Sequence, residues 1–326
     1  MITPSDIFSI SSSKQFEKIA LKIFRYQYDH NLVYHEFCTH LNVDKQAVKT
    51  ISQIPFLPIQ FFKSHEVVAE DQPTQTTFTS SGTTGMATSK HLVTDLSLYE
   101  SSYRQAFSQF YGNIEDYVIL ALLPSYLERD GSSLIYMVND LIELSQNSDS
   151  GFYLHNYDEL IKKLTALDQS GQNVILIGVT YALLDLIDKQ QFALQNTIVM
   201  ETGGMKGKRK ELIREELHEI LSNGFGVSQI HSEYGMTELL SQAYSFGDGV
   251  FECPPWMQIL IRDTEDALQY ITDGKTGGIN VIDLANLNSC SFIATQDLGK
   301  KNPNTSFEVL GRFDTSDIRG CNLMVL

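Results

Sequence analysis

The sequence predicts an α/β protein, and three observations carry that prediction. Asn173-Val174-Ile175-Leu176-Ile177-Gly178-Val179 is an unbroken apolar run bounded by polar residues, as expected of a parallel strand buried on both faces. Helix-like segments at 157–168 and 181–189 flank it and a second strand candidate follows at 197–201, the alternation of right-handed βαβ crossovers. From Val250 onward the helical periodicity fades. There 256–262, 278–283 and 290–294 read as short antiparallel strands between Gly-, Asp- and Asn-rich turns.

Taken in chain order, residues 6–41 read as helical. Phe16, Ile19, Ala20, Ile23 and Phe24 recur at three- and four-residue spacing, and Ser11-Ser12-Ser13 offers N-caps. The stretch 51–63 contains Pro55 and Pro58, which excludes regular helix and predicts an extended crossover. A strand at 76–79 is followed by a loop, a helix at 96–111, a strand at 117–123 and a helix at 131–144. After the strand at 197–201 come a helix at 206–221 and a short strand at 227–231. No internal repeat or low-complexity linker interrupts the series. The expected picture is a helical entry (1–70), an α/β core (71–249) of mixed sheets with flanking helices, and a smaller β-rich segment (250–310).

Composition narrows the function. Lys+Arg 24 against Asp+Glu 40 leaves a net charge of −16, which opposes nucleic-acid phosphates and anionic membranes. No apolar run approaches the ~18–20 residues of a membrane span. Met1-Ile2-Thr3-Pro4-Ser5-Asp6 shows no basic segment leading into an apolar one, so a cytoplasmic location is expected. Cys38, Cys253, Cys290 and Cys321 have no C-x-x-C spacing and read as reduced thiols.

The chemistry centres on Thr79-Ser80-Ser81-Gly82-Thr83-Thr84-Gly85. Glycines let backbone N–H groups turn toward a phosphate, and hydroxyls add short neutral donors. The G-x-x-x-x-G-K-[ST] spacing of a P-loop is absent, and an ordinary Ser/Thr-rich turn is the competing reading. A second patch, Ser232-Glu233-Tyr234-Gly235-Met236-Thr237-Glu238, puts an aromatic face, a glycine, a hydroxyl and a carboxylate within a few residues. It suits a purine on Tyr234, an α-phosphate at Thr237 and Mg²⁺ on Glu238, since Mg²⁺ is typically held by one or two carboxylates plus phosphate oxygens. A capped strand-to-helix junction is the plainer alternative.

These two motifs, in this order, resemble the adenylate-forming superfamily of acyl-CoA ligases, luciferases and peptide-synthetase adenylation domains. Phe292-Ile293-Ala294-Thr295-Gln296-Asp297-Leu298-Gly299 is similar to its ribose-binding segment, with Asp297 as the ribose acid and Gln296 in place of the usual glycine. Gly311-Arg312-Phe313-Asp314 is similar to its hinge. Residues 311–326 would then be a hinge-like stub and tail, without the usual C-terminal cap domain and its lysine. The expected fold is the large N-terminal domain of such an enzyme. Pro55-Phe56-Leu57-Pro58-Ile59-Gln60-Phe61-Phe62-Lys63, Pro124-Ser125-Tyr126-Leu127-Glu128-Arg129, Gly203-Gly204-Met205-Lys206-Gly207 and Cys253-Pro254-Pro255-Trp256-Met257 narrow the resemblance to the acyl-protein synthetases of bacterial luminescence operons, relatives of phenylacetate-CoA ligases.

That resemblance implies ATP-dependent activation of a carboxylic acid, fatty or aryl, as acyl-AMP, followed by transfer to a thiol. Ser80, Ser81, Gly82, Thr83, Thr84 and Gly85 would grip the outer phosphates. Gly203 and Gly204 would floor the adenine beside Tyr234 and Gly235. Asp297 and Arg312 would fix the ribose, while Thr237 and Glu238 act at the α-phosphate and metal. Lys90 either reaches the phosphates or is a solvated cation. Arg129 either faces the substrate carboxylate or pyrophosphate, or makes a helix-start salt bridge to Glu128 or Asp130. His231 is the one histidine suspected of lining the site. Cys321, in Arg319-Gly320-Cys321-Asn322, would accept the acyl group before a partner reductase or carrier protein does. Cys253 and Cys290 belong to packing. The rivals are a ligase using coenzyme A or a carrier's thiol, and a non-catalytic scaffold.

Overall fold

A computed structural model describes residues 2–69, 73–80, 88–123, 131–153, 156–203, 209 and 212–313. The entry is helical but broken into α1 (Pro4–Phe8), α2 (Ser13–His30) and α3 (Leu32–His40). Ser12 caps α2 through the Gln15 amide, and Asn31 ends that helix while its side chain caps α3. Polar caps at Ser12 and Asn31 thus divide what the apolar spacing alone joins into one helix.

The prolines of 51–63 do force an extended path. A 3₁₀ turn (Ile51–Gln53) leads into β1 (Leu57–Pro58) and the single turn α4 (Phe61–Ser64). β1 lies parallel to a strand far down the chain, with Leu57 opposite Ile293. Next comes an antiparallel hairpin, β2 (Thr76–Thr79) and β3 (Lys90–Val93), which pairs Thr79 with Lys90.

The α/β core then unfolds in order: α5 (Leu96–Tyr111), β4 (Val118–Leu122), α6 (Ser133–Leu144), β5 (Gly151–Phe152), α7 (Tyr157–Gln169), β6 (Val174–Val179), α8 (Thr180–Lys189), β7 (Thr197–Thr202), α9 (Arg214–Phe225) and β8 (His231–Tyr234). β5, β4, β6, β7 and β8 are neighbours and all parallel. Every residue of β4 and β6 is buried, the signature of strands covered on both sides. Alternation assigns the two coverings. Ile175 and Ile177 line a cavity beneath α5 and α6, whereas a Cβ at Gly178 would meet Leu183 of α8 at 2.9 Å.

Two expected boundaries move. The helix expected at 206–221 runs instead over Arg214–Phe225, with Leu212 and Ile213 outside it. Its true stop is Gly226, whose φ of +69° places it in the left-handed region that closes helices. The strand expected at 227–231 begins at His231, so Ser232, Glu233 and Tyr234 are themselves strand residues.

Beyond β8 the pairing turns antiparallel. β9 (Ala243–Ser245), β10 (Val250–Glu252), β11 (Met257–Arg262), β12 (Thr276–Asp283), β13 (Phe292–Lys301) and β14 (Phe307–Arg312) extend the same sheet, in the order β11-β12-β13-β14-β10-β9-β8. Gly311 and Arg312 are therefore strand residues paired with β13, Arg312 directly opposite Asp297.

Candidate active site

The parallel strands β6, β7 and β8 end on the same edge, where open α/β sheets bind ligands. Gly203 follows β7 there with φ +71°, its carbonyl accepting from the Thr180 hydroxyl at 3.2 Å. Tyr234 ends β8, Gly235 follows it, and Thr237-Glu238 forms the turn beyond. Gly235 has a steric reason to be glycine: a Cβ would lie 2.4 Å from Glu233 Oε1.

The hairpin brings the Ser/Thr/Gly loop to this turn. At its base, the Ser80 amide donates to the Ser89 carbonyl at 3.1 Å, and the Ser89 amide donates to Ser80 Oγ at 2.9 Å. Burial raises the carboxyl pKa of Glu238; a hydrogen bond from Ser89 and the charges of Arg312 and Lys63 pull it back in part. One strand position on, buried His91 places Nδ1 2.8 Å from the Thr237 carbonyl. The far end of the loop thus meets the Thr237–Glu238 turn through Ser89 and His91, and Ser80 is tied to it through Ser89. Ser81, Gly82, Thr83, Thr84 and Gly85 lie outside the described residues, as do Gly204, Arg129 and Cys321.

Tyr234, Asp297 and Arg312 also converge. The Tyr234 hydroxyl donates to Asp297 Oδ2 at 2.9 Å, and Arg312 Nε lies 3.2 Å from Asp297 Oδ1. Cross-strand register sets this up, since Asp297 of β13 faces Arg312 of β14. The Tyr234 ring is held edge-on by Phe251 and Phe307 at centroid distances of 5.9 and 5.5 Å. Burial, reinforced by the Asp297 charge, keeps its hydroxyl protonated, so it acts as a donor. Arg312 itself is 79% exposed along its side chain, leaving most of its guanidinium free for another anion.

Two residues sit elsewhere. Lys90 is exposed and, by strand alternation, points away from the face on which His91 meets Thr237. His231 opens β8 at the end remote from the turn, 3.2 Å from the Tyr111 hydroxyl and packed on Phe246; burial lowers its pKa to about 4. Cys290 is buried, and burial pushes its thiol well above the ordinary range.

Several contributors have no signature in sequence. Asp283 accepts from the Leu240 and Ser241 amides at 2.7 and 3.0 Å, anchoring the segment after Glu238; burial raises it to about 6. Asn286 donates to the Glu238 carbonyl at 2.8 Å. Behind β8, Glu233 is pushed up to about 7 by burial, against a hydrogen bond from Thr202 and with help from the Glu201 charge. Glu201 is held ionised by His218 and Arg214 despite its own burial. Glu233 lines a small apolar cavity of about 20 Å³ whose other walls include Phe107, Met137, Ile177, Met200 and Tyr244. A run such as Ser232-Glu233 hints at none of this, because the partners come from other strands.

The donor set suits a magnesium nucleotide. No cluster of three metal-ligating side chains exists among the described residues, which excludes an all-protein cage there. The Glu238 carboxylate, with the Thr237 hydroxyl on the neighbouring residue, is compatible with an Mg²⁺ held mainly by phosphate oxygens. Among the described residues no helix is long and apolar enough to cross a membrane.

Comparison with known proteins places the fold. The long-chain-fatty-acid–luciferin-component ligase of Vibrio harveyi is 25% identical over 350 residues, covering 99% of this chain and 90% of that protein. 2-Hydroxyisobutyryl-CoA ligase, solved in a postadenylation state with R3-HIB-AMP, superposes with a TM-score of 0.66 at 11% identity, over 95% of this chain and 70% of that one. ATP-bound MatB from Rhodopseudomonas palustris superposes with a TM-score of 0.56 at 17% identity, over 75% of this chain. The match spans half of MatB's length. The expected adenylate-forming fold is therefore the observed one. A model of the family described as acyl-protein synthetase, LuxE, matches residues 2–326, and the chain belongs to that family.

Proposed function

We infer that this protein uses ATP to activate a carboxylic acid as an acyl-adenylate and passes the acyl group to a protein thiol. One observation carries the reading: the base of the Ser/Thr/Gly loop, the Thr237–Glu238 turn and the Tyr234–Asp297–Arg312 group meet at one sheet edge. Asp297, with two hydrogen-bonding neighbours fixing it, takes the ribose hydroxyls. Tyr234 and Gly203-Gly204 flank the adenine. Ser80 to Gly85 hold the β- and γ-phosphates. Glu238 would hold Mg²⁺, which when bound would neutralise phosphate charge.

The chemistry asked of the protein is alignment and charge stabilisation. A carboxylate oxygen of the acid attacks the α-phosphorus in line with the leaving pyrophosphate, and that P–O bond breaks. Thr237 hydrogen-bonds the α-phosphate as this happens, and the exposed guanidinium of Arg312 adds a cation. The name of the Vibrio harveyi relative supports a fatty acid as the substrate. In the second step a thiolate attacks the acyl carbonyl carbon, the C–O bond to AMP breaks, and AMP leaves. Cys321 is the proposed first acceptor, and an acyl-accepting reductase or carrier protein the next.

The test is ATP–pyrophosphate exchange across a panel of carboxylic acids, followed by covalent labelling with the best acid. The Cys321→Ser variant should keep exchange and lose the label on the protein. Exchange with no acid would refute activation; unchanged labelling of Cys321→Ser would refute that acceptor alone.

A further inference from the structure

His91 and Asn286 form a buried link that neither the phosphate loop nor the acidic motif accounts for. His91 is fully buried on β3, the strand on which the loop lands. Its Nδ1 lies 2.8 Å from the Thr237 carbonyl and its Nε2 lies 3.0 Å from Asn286 Oδ1. The Asn286 amide group is committed in the other direction, donating to the Glu238 carbonyl at 2.8 Å and to the Cys290 carbonyl at 3.0 Å. Flipping that amide would set its oxygen against both carbonyls, so its orientation is determined by the network.

The link is braced from behind. Gln27 Nε2 on α2 donates to the carbonyls of Asn286 and Leu287 at 3.0 and 2.8 Å, and Phe62 packs edge-on against the His91 ring at 5.7 Å. Leu284 to Ser291 therefore cannot drift without breaking bonds in the interior. Both backbone carbonyls of the Thr237–Glu238 pair end on this two-residue bridge, and the bridge is mounted on the strand that carries the loop.

Both ring nitrogens of His91 face oxygen acceptors, and a neutral imidazole has a single proton to share between them. An apolar core would avoid that frustration, and burial of a partly satisfied polar pair is costly. Such a pair persists where its geometry serves another purpose. We propose that His91, acting through Asn286, is a positioning residue that fixes the Thr237–Glu238 turn against the base of the phosphate loop at Ser89. The side chains of Thr237 and Glu238 are then aimed before the nucleotide arrives, and binding does not have to order the turn. This rests on the reading of Glu238 as the Mg²⁺ residue.

The test compares wild type, His91→Phe, Asn286→Ser and, as a control for the metal reading, Glu238→Gln. Amide hydrogen exchange of the ligand-free proteins is followed in the peptide covering residues 235–242. His91→Phe and Asn286→Ser should each speed its exchange at least tenfold, with peptides from β11 and β12 unchanged. In pyrophosphate exchange, both should raise the half-saturating Mg²⁺ concentration at least fivefold while the KM for the acid stays within twofold. Protection of 235–242 left as in wild type in both variants overturns the proposal. If His91→Phe fails to fold, Asn286→Ser leaves β3 intact, and unchanged protection in that variant alone overturns the proposal. If Glu238→Gln leaves the Mg²⁺ dependence unmoved, the metal reading fails, and the exchange of 235–242 still judges the link.

Discussion

Replacing Glu233 by glutamine isolates the cost of a single buried carboxyl. Its Oε2 lies 2.5 Å from the Thr202 hydroxyl, and the remaining surroundings are the apolar cavity walls and the Glu201 charge. In the unfolded chain the group ionises near 4.5, in the fold near 7. A raised carboxyl pKa means that the folded state holds its proton longer than the unfolded state does. The associated stability is complete below about 4.5 and is lost as pH rises through about 7. At about 1.4 kcal/mol per tenfold, the loss approaches 3 kcal/mol by pH 8.5. Glutamine keeps the shape and a partner for Thr202 but cannot ionise. Urea unfolding at pH 5 and pH 8.5 reads the effect: with a slope on the order of 1–3 kcal/mol per molar, the midpoints should separate by roughly 1 M or more at pH 8.5 and much less at pH 5. A separation independent of pH would show that Glu233 is already charged in the fold, and the reasoning from burial would fail.

Two further outcomes are expected. Tyr234→Phe removes the donor to Asp297 and should raise the KM for ATP by roughly 10- to 100-fold, from the roughly 1.5–3 kcal/mol of a hydrogen bond to a charged group, with the acid KM unmoved; an unchanged ATP KM would count against Asp297 as the ribose residue. Met137→Phe overfills the small cavity behind Glu233 and should destabilise the fold by about 1–3 kcal/mol, read as a lower urea midpoint, while an unchanged midpoint would show that the site has slack to take the ring.

Much of the fold was legible in the chain because its signals are local. The apolar run at β6 and the cap at Ser12 declare themselves within a few residues. The boundary errors have a physical source as well. The charged stretch after Gly203 carries helical spacing, yet the helix that forms is the one closed by Gly226. The site was legible in part for the same reason: Tyr234, Asp297 and Arg312 sit in strings that resemble known motifs, although what brings them together is strand register. His91 and Asn286 were invisible because they are 195 positions apart and belong to no motif. Strand alternation decides such cases too. It buries His91 and leaves Lys90, one position away, in solvent.

The parallel pairing of β1 with β13 has a consequence for biosynthesis. Leu57 and Pro58 leave the ribosome first, and their partners Ile293 and Ala294 follow 236 residues later. At elongation of roughly 5–20 residues per second, that interval is on the order of ten to fifty seconds. Throughout it, the helices that later grip the Asn286 turn have nothing to grip. Chaperone capture of the nascent chain should therefore concentrate on this leading segment, and codon changes that slow the middle of the message should prolong its exposure.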